Sequence, residues 1–128
     1  MKILVAEDSG ILRKAIAKVA KETGFMPVEA ENGAEALAKL RKHSGDVALI
    51  ILDWNMPVMD GYDALVKIRA QKEYDHIPVL MATAAGVQED VIKAIKAGAN
   101  SYLVKPYTPA DLSKQIRSTI DSKQAVRS

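Results

Sequence analysis

Cysteine is absent from the 128 residues, so the chain carries neither a disulfide framework nor a cysteine-based zinc site. That usage suits a reducing compartment. Aromatics are scarce, with one Trp, one Phe and four Tyr. Charge of one sign is missing too: 18 Lys and Arg against 16 Asp and Glu leave a net charge of +2. Nucleic-acid binders usually show a clustered basic stripe with aromatics, whereas here the bases are spread over helix faces, so no nucleic-acid partner is expected. Long apolar runs are lacking as well. None approaches the roughly 20 residues that span a bilayer. Met1-Lys2 leads into four apolar residues and then acids, unlike a signal peptide. The expectation is a soluble, cytoplasmic protein with no membrane contact. Repeats and internal linkers are absent, and 128 residues at 48% apolar content suffice for one domain with a proper core.

Four short apolar runs are present, each ending in polar residues of a different kind. Ile3-Leu4-Val5-Ala6 ends in Glu7-Asp8, and Val47-Ala48-Leu49-Ile50-Ile51-Leu52 ends in Asp53. Val79-Leu80-Met81-Ala82 ends in Thr83, and Tyr102-Leu103-Val104 ends in Lys105-Pro106. Continuous apolar strands without alternation indicate burial on both faces. Met26-Pro27-Val28-Glu29-Ala30 alternates and contains a proline that cannot donate to a ladder, which makes it an edge strand.

Helix-period segments separate the strands. Gly10–Glu22 places Leu12, Ile16, Val19 and Ala20 on one face, with Arg13, Lys14, Lys18 and Lys21 facing away on a solvated surface. Asn32-Gly33-Ala34-Glu35 opens a second helix with an N-cap and an acid three residues on, and Leu37 and Leu40 mark its buried side. A third follows Asp60-Gly61, with Ala64, Leu65 and Ile68 inward. A fourth runs from about Val87 to Ala97 and stops at Gly98. The fifth starts at Thr108-Pro109, with Leu112, Ile116 and Ile120 as its inner stripe. The domain is expected over 1–121, and 122–128 is read as a polar, disordered C-terminal tail.

This alternation predicts an α/β fold, a doubly wound five-stranded parallel sheet in a three-layer sandwich. An edge position for the second strand is what the flavodoxin-like order 2-1-3-4-5 requires. In that order, ligands bind outside the C-terminal strand ends, between strands 1 and 3. Glu7, Asp8 and Asp53 end those two strands. Three carboxylates, a hydroxyl and an ammonium would then share one crevice. Two carboxylates at ~4 Å and an effective dielectric of ~20 repel by about 4 kcal/mol, so the set needs protons, a cation or lysine. Mg²⁺ suits it, taking oxygen ligands and holding phosphate. With the metal and Lys105 present, Asp53 can stay ionised and attack phosphorus to give an aspartyl phosphate. Mg²⁺, Lys105 and the Thr83 hydroxyl could stabilise the charge that develops on the equatorial oxygens.

The residues Glu7-Asp8, Asp53-Trp54-Asn55-Met56-Pro57 with Asp60-Gly61, Thr83-Ala84, and Gly98-Ala99 through Tyr102-Leu103-Val104-Lys105-Pro106 stand in order along the chain. In them the sequence resembles a response-regulator receiver domain, most closely the stand-alone chemotaxis type, from Lys2 to about Ile120. Chemotaxis receivers are themselves a known instance of the 2-1-3-4-5 order. The resemblance implies that Asp53 is the phosphoacceptor and a metal ligand. Glu7 and Asp8 would hold Mg²⁺, directly or through water, and Asn55 would add its main-chain carbonyl. Lys105 would pair with phosphoryl oxygens, before a cis peptide to Pro106. Thr83 would turn inward to the phosphoryl group, and Tyr102 would follow by burying its ring. Ala84 and Ala85 would govern access to the phosphoryl group. Glu7 stands where Asp is commoner, and Ala85 where chemotaxis members often carry an acid.

The implied partners are a histidine kinase as donor, a downstream protein such as the flagellar motor switch, and a phosphatase. The implied protein is a monomer that catalyses its own phosphorylation and dephosphorylation without being a conventional turnover enzyme. A phosphorelay intermediate or adaptor-type regulator is the alternative. A haloacid-dehalogenase-type phosphatase fits less well, because its nucleophile usually ends the first strand and a second Asp sits where Asn55 stands. A nucleotide- or flavin-binding module would need a Gly- or hydroxyl-rich loop after the first strand, where Glu7-Asp8 instead repels phosphate.

Overall fold

The computed structural model describes residues 1–84 and 88–127, with side chains described through residue 122. Five strands, β1 (Lys2–Ala6), β2 (Met26–Ala30), β3 (Val47–Asp53), β4 (Val79–Ala84) and β5 (Ser101–Lys105), pair in parallel in the order β2-β1-β3-β4-β5. Between and after them lie α1 (Gly10–Glu22), α2 (Gly33–Lys42), α3 (Gly61–Arg69), α4 (Gln88–Ala97) and α5 (Pro109–Arg127). A short 3₁₀ turn spans Lys72–Tyr74.

Side-chain alternation along the strands sends successive residues into two separate cores. Leu4, Ala6, Ile50, Leu52, Val79 and Met81 meet Leu40 of α2, Leu65 and Ile68 of α3 and Ala94 of α4. Ile3, Val5, Leu49, Ile51 and Leu80 meet Ile16 of α1 and Leu112 and Ile116 of α5. Strands β1, β3 and β4 are thus apolar on both faces because both faces are covered. β2 lies at one edge, where Pro27 costs no ladder bond. β5, at the other edge, departs from the expected double burial: Tyr102 and Val104 are exposed, while Ser101, Leu103 and Lys105 are half-buried.

Helix starts are set by side chains. Ser9 Oγ, Asn32 Oδ1 and Asp60 Oδ1 accept from the N–H groups of Leu12, Glu35 and Asp63. At α5, Thr108 Oγ1 accepts from the Asp111 N–H at 3.0 Å, and Asp111 Oδ2 accepts from the Thr108 N–H at 3.1 Å. Gly98, at φ +114°, ends α4 as expected. α5 is helical to Arg127, past the expected domain end at residue 121. Nothing in Ser-Lys-Gln-Ala-Val-Arg stops a helix, as neither Gly nor Pro occurs there.

Candidate functional site

Register dictates which strand-end residues meet. Ala6 pairs with Leu52, so Glu7 and Asp53 stand one step further along neighbouring strands, on the same side of the sheet. Asp53 pairs with Ala82 of β4, and Ala84, two residues on, pairs with Lys105 of β5. Lys105 therefore shares the parity of Asp53, and only alanines, Ala82 and Ala84, stand between them on that side. Its ammonium reaches across to bond Asp53 Oδ1 and lies 3.3 Å from Glu7 Oε1. One carboxylate oxygen from each of Glu7, Asp8 and Asp53 lies within 4.8 Å of the others. Glu7 and Asp53 are buried, at 2% and 4% exposure, while Asp8 is exposed. The peptide bond from Lys105 to Pro106 is cis.

Burial is the largest influence on the two buried carboxyls. It raises the Glu7 carboxyl above the usual carboxylate range; the Ser9 N–H donating to Oε2 at 3.0 Å opposes that, and the neighbouring Asp8 and Asp53 add to it. Burial likewise raises Asp53, against the bond and charge of Lys105, with Asp8 adding to the rise. For Lys105, burial acts downward, but the hydrogen bond and charge of Asp53, then Glu7, outweigh it and raise its pKa. A single ammonium cannot neutralise three acids. The donor set fits a hard divalent cation: clustered carboxylate oxygens, one acid open to solvent, and a lysine that can turn to a bound anion.

The other expected residues lie around this cluster. Thr83, the penultimate residue of β4, is 1% exposed, and its Oγ1 is buried with no hydrogen-bond partner among the described residues. Asn55 follows in the exposed loop after β3, and Ala84 is exposed at the end of β4. Ala85 lies outside the described residues. Tyr102 is 43% exposed, its ring facing out beside a groove of about 420 Å³ lined by Ile95, Leu103, Val104 and Gln115. The half-buried Trp54 ring stacks on Tyr62 at 5.3 Å, and Lys93 of α4 sits 4.3 Å from the Tyr62 ring centroid.

Two local features escape a reading of residue types. Gly61 packs against the backbone of Asp53, where an added Cβ would stand 2.1 Å from the Asp53 carbonyl oxygen. The motif Asp60-Gly61 signalled a helix start but not this close approach. Tyr107, two residues past Lys105, buries a hydroxyl that has no partner among the described residues. Burial raises its pKa, and Lys105, Glu7 and Asp53 all act on it through their charges. No sequence signal announces that neighbourhood.

A family model described as the response regulator receiver domain matches residues 3–117. A chemotaxis protein CheY homolog of Campylobacter jejuni is 42% identical over 121 residues, spanning 94% of this chain and 92% of the relative. The chemotaxis protein CheY1 of Helicobacter pylori is 43% identical over 117 residues, spanning 91% of this chain and 94% of the relative. A solved response regulator receiver domain protein from Clostridium thermocellum superposes with a TM-score of 0.87 at 30% identity over 98% of each chain. With the matched residues running from β1 into the first half of α5, the chain belongs to the response regulator receiver family and is a homologue of the chemotaxis response regulators.

Proposed function

We propose that the protein signals by accepting a phosphoryl group on Asp53 from the phosphohistidine of a histidine kinase. The observation that carries this reading is the convergence of Glu7, Asp8 and Asp53 with Lys105 bonded to Asp53. An Asp53 carboxylate oxygen bonds to phosphorus as the phosphorus–nitrogen bond to the donor imidazole breaks, and the imidazole nitrogen leaves with the bond's electron pair and takes up a proton from solvent. Glu7, Asp8, Asp53 and the Asn55 carbonyl would hold Mg²⁺, which when bound neutralises charge on the phosphoryl oxygens. Lys105 keeps its proton and turns from Asp53 to a phosphoryl oxygen. The small side chain of Ala84 leaves the approach open, and Ala85 is read as part of the same access.

Thr83 supports a switch. A buried hydroxyl without a partner costs about 1–3 kcal/mol. A phosphoryl oxygen would give Thr83 Oγ1 an acceptor and favour a state in which the Tyr102 ring turns inward. Output would pass through α4, β5 and α5, where Ile92, Ile95, Tyr102 and Val104 are exposed. A protein of the flagellar motor switch is the partner that the chemotaxis homologues suggest.

Intact mass after incubation with acetyl phosphate and Mg²⁺ tests the chemistry, with Asp53→Asn and a metal-free sample alongside. One added phosphoryl group, absent in both controls, is the expected result. If there is no adduct and no stable beryllofluoride complex, the phosphoacceptor reading fails.

A further inference from the structure

Arg13 does not lie on the solvated face of α1 where the helical period places it with Lys14, Lys18 and Lys21. Its side chain is only 13% exposed. The guanidinium folds back over the β1–α1 connection and donates from Nη1 to the main-chain carbonyl of Glu7 at 2.9 Å. Its Nε donates to Glu29 Oε1 at 3.1 Å, and Nη2 lies 3.8 Å from Glu31 Oε1. Glu29 is held from its other oxygen by Lys14 at 2.9 Å. The Glu7 N–H donates to the Ala30 carbonyl at 3.0 Å. The Glu7 peptide is therefore gripped on both sides, by the end of β2 and by a cation that β2 anchors.

We infer that Arg13 is a positioning residue for the acid cluster: it fixes the Glu7 main chain so that its carboxylate stays within reach of Asp8 and Asp53. The inference rests on the reading of that cluster as a Mg²⁺ site. Arg13 makes none of its bonds to a carboxylate of the cluster, so its effect on the metal runs through Glu7. Glutamate gives this role more weight than aspartate would, because its longer side chain has one more rotatable bond to place. The planar fork suits the task, since one guanidinium spans a carbonyl and two carboxylates at once and an ammonium cannot.

Charge and position predict opposite signs. A cation close to three acids weakens Mg²⁺ binding by repulsion, so removing it should tighten binding if charge is all it contributes. A residue that holds a ligand's support should loosen binding when lost, by roughly 10- to 100-fold. A plain staple between α1 and β2 would lower stability and leave Mg²⁺ affinity alone.

Calorimetric Mg²⁺ titration of the whole chain, paired with urea unfolding of each protein, separates the three. Arg13→Gln should bind Mg²⁺ about 10-fold more weakly or worse. Arg13→Lys keeps the charge and should still lose most of that affinity. Glu29→Gln, which frees the guanidinium from its anchor, should show a smaller loss in the same direction. Lys18→Gln, on the exposed face of α1, should titrate like the parent. Equal or tighter binding by Arg13→Gln, with the parent binding normally, overturns the role of Arg13 alone. Should Arg13→Gln fail to fold, parent-like affinity in Arg13→Lys and Glu29→Gln overturns it instead. A parent chain that takes no Mg²⁺ overturns the metal-site reading and the inference with it.

Discussion

Val58 carries the most evident local strain among the described residues. Its φ is 68°, and the Met59 N–H donates to the Pro57 carbonyl at 2.7 Å, which closes a three-residue turn around it. That turn is rare and strained even for favourable residues. A β-branched side chain in the left-handed region costs roughly 1–2 kcal/mol, and burial repays nothing here because Val58 is 85% exposed. The turn persists because its far end is tied down: the Met59 carbonyl accepts from the Gly33 N–H at 2.9 Å. Val58→Asn, which enters positive φ more readily than a β-branched residue, should stabilise the fold by about 0.5–1 kcal/mol. The gain would appear as a higher urea midpoint at unchanged slope, and a lower midpoint would refute the strain. The residues legible in the sequence were those whose meaning is local: Glu7, Asp53, Thr83 and Lys105 each end an apolar run, so strand order alone brings them together. Arg13, Gly61 and Tyr107 were not legible. Each depends on which atoms of another element lie opposite, and spacing along the chain says nothing about that.

Among the helices, α4 is the most lightly held in its described part. Its one fully buried residue is Ala94, and Ile92 and Ile95 face outward at 54% and 44% exposure. What anchors its C-terminal end is a side chain of α3. Arg69 donates to the carbonyls of Gly98 at 3.0 Å, Tyr74 at 2.9 Å and Ile77 at 2.7 Å, and to Asn100 Oδ1 at 3.0 Å. Asn100 Oδ1 in turn accepts from the first amide of β4, that of Val79, at 2.9 Å. One guanidinium thus fixes the end of α4 to the starts of β4 and β5. Arg69→Met removes every donor and leaves the carbonyls behind, so it should cost about 2–4 kcal/mol. Hydrogen exchange should show the amides of 96–100 losing protection first; unchanged protection there would argue that packing alone holds the helix. Element identity was largely readable, because caps and apolar stripes are local signals. The alternation of β5 was not, since three apolar residues look alike whether one face or both are covered. α5 runs past residue 121 because a polar stretch with no helix breaker can continue a helix that is already nucleated.

Taken whole, the protein gathers its strained charges at one end of the sheet, and that sets how stability should respond to pH and to metal. A carboxyl whose folded pKa lies above its unfolded value binds its proton more tightly in the native state. Its burial penalty is absent below the unfolded value and complete above the folded one. Glu7 and Asp53 are both raised in this way. Lys105 is raised as well, so its contribution is complete below its unfolded value near 10.4 and constant through the neutral range. Glu29 is lowered, chiefly by Lys14, and loses its contribution only in acid below the ordinary carboxylate values. Without metal, the protein should therefore gain stability as pH falls from above the raised values of Glu7 and Asp53 toward the ordinary carboxylate range. Mg²⁺ should reverse that order. At ten times its Kd a native-state ligand adds about 1.4 kcal/mol, which is a Tm rise of roughly 3–8 °C for a domain of this size. Protons compete for Glu7 and Asp53, so the rise should shrink toward about pH 5. Asp53→Asn removes one source of repulsion and one ligand oxygen charge together. It should be more stable than the parent near pH 8 without metal, and should lose most of the Mg²⁺ increment. Thermal melts of both chains across that range, with and without Mg²⁺, decide the point. Metal-free stability that stays flat or rises with pH would mean that Lys105 already compensates the buried acids, leaving no electrostatic strain for a cation to relieve.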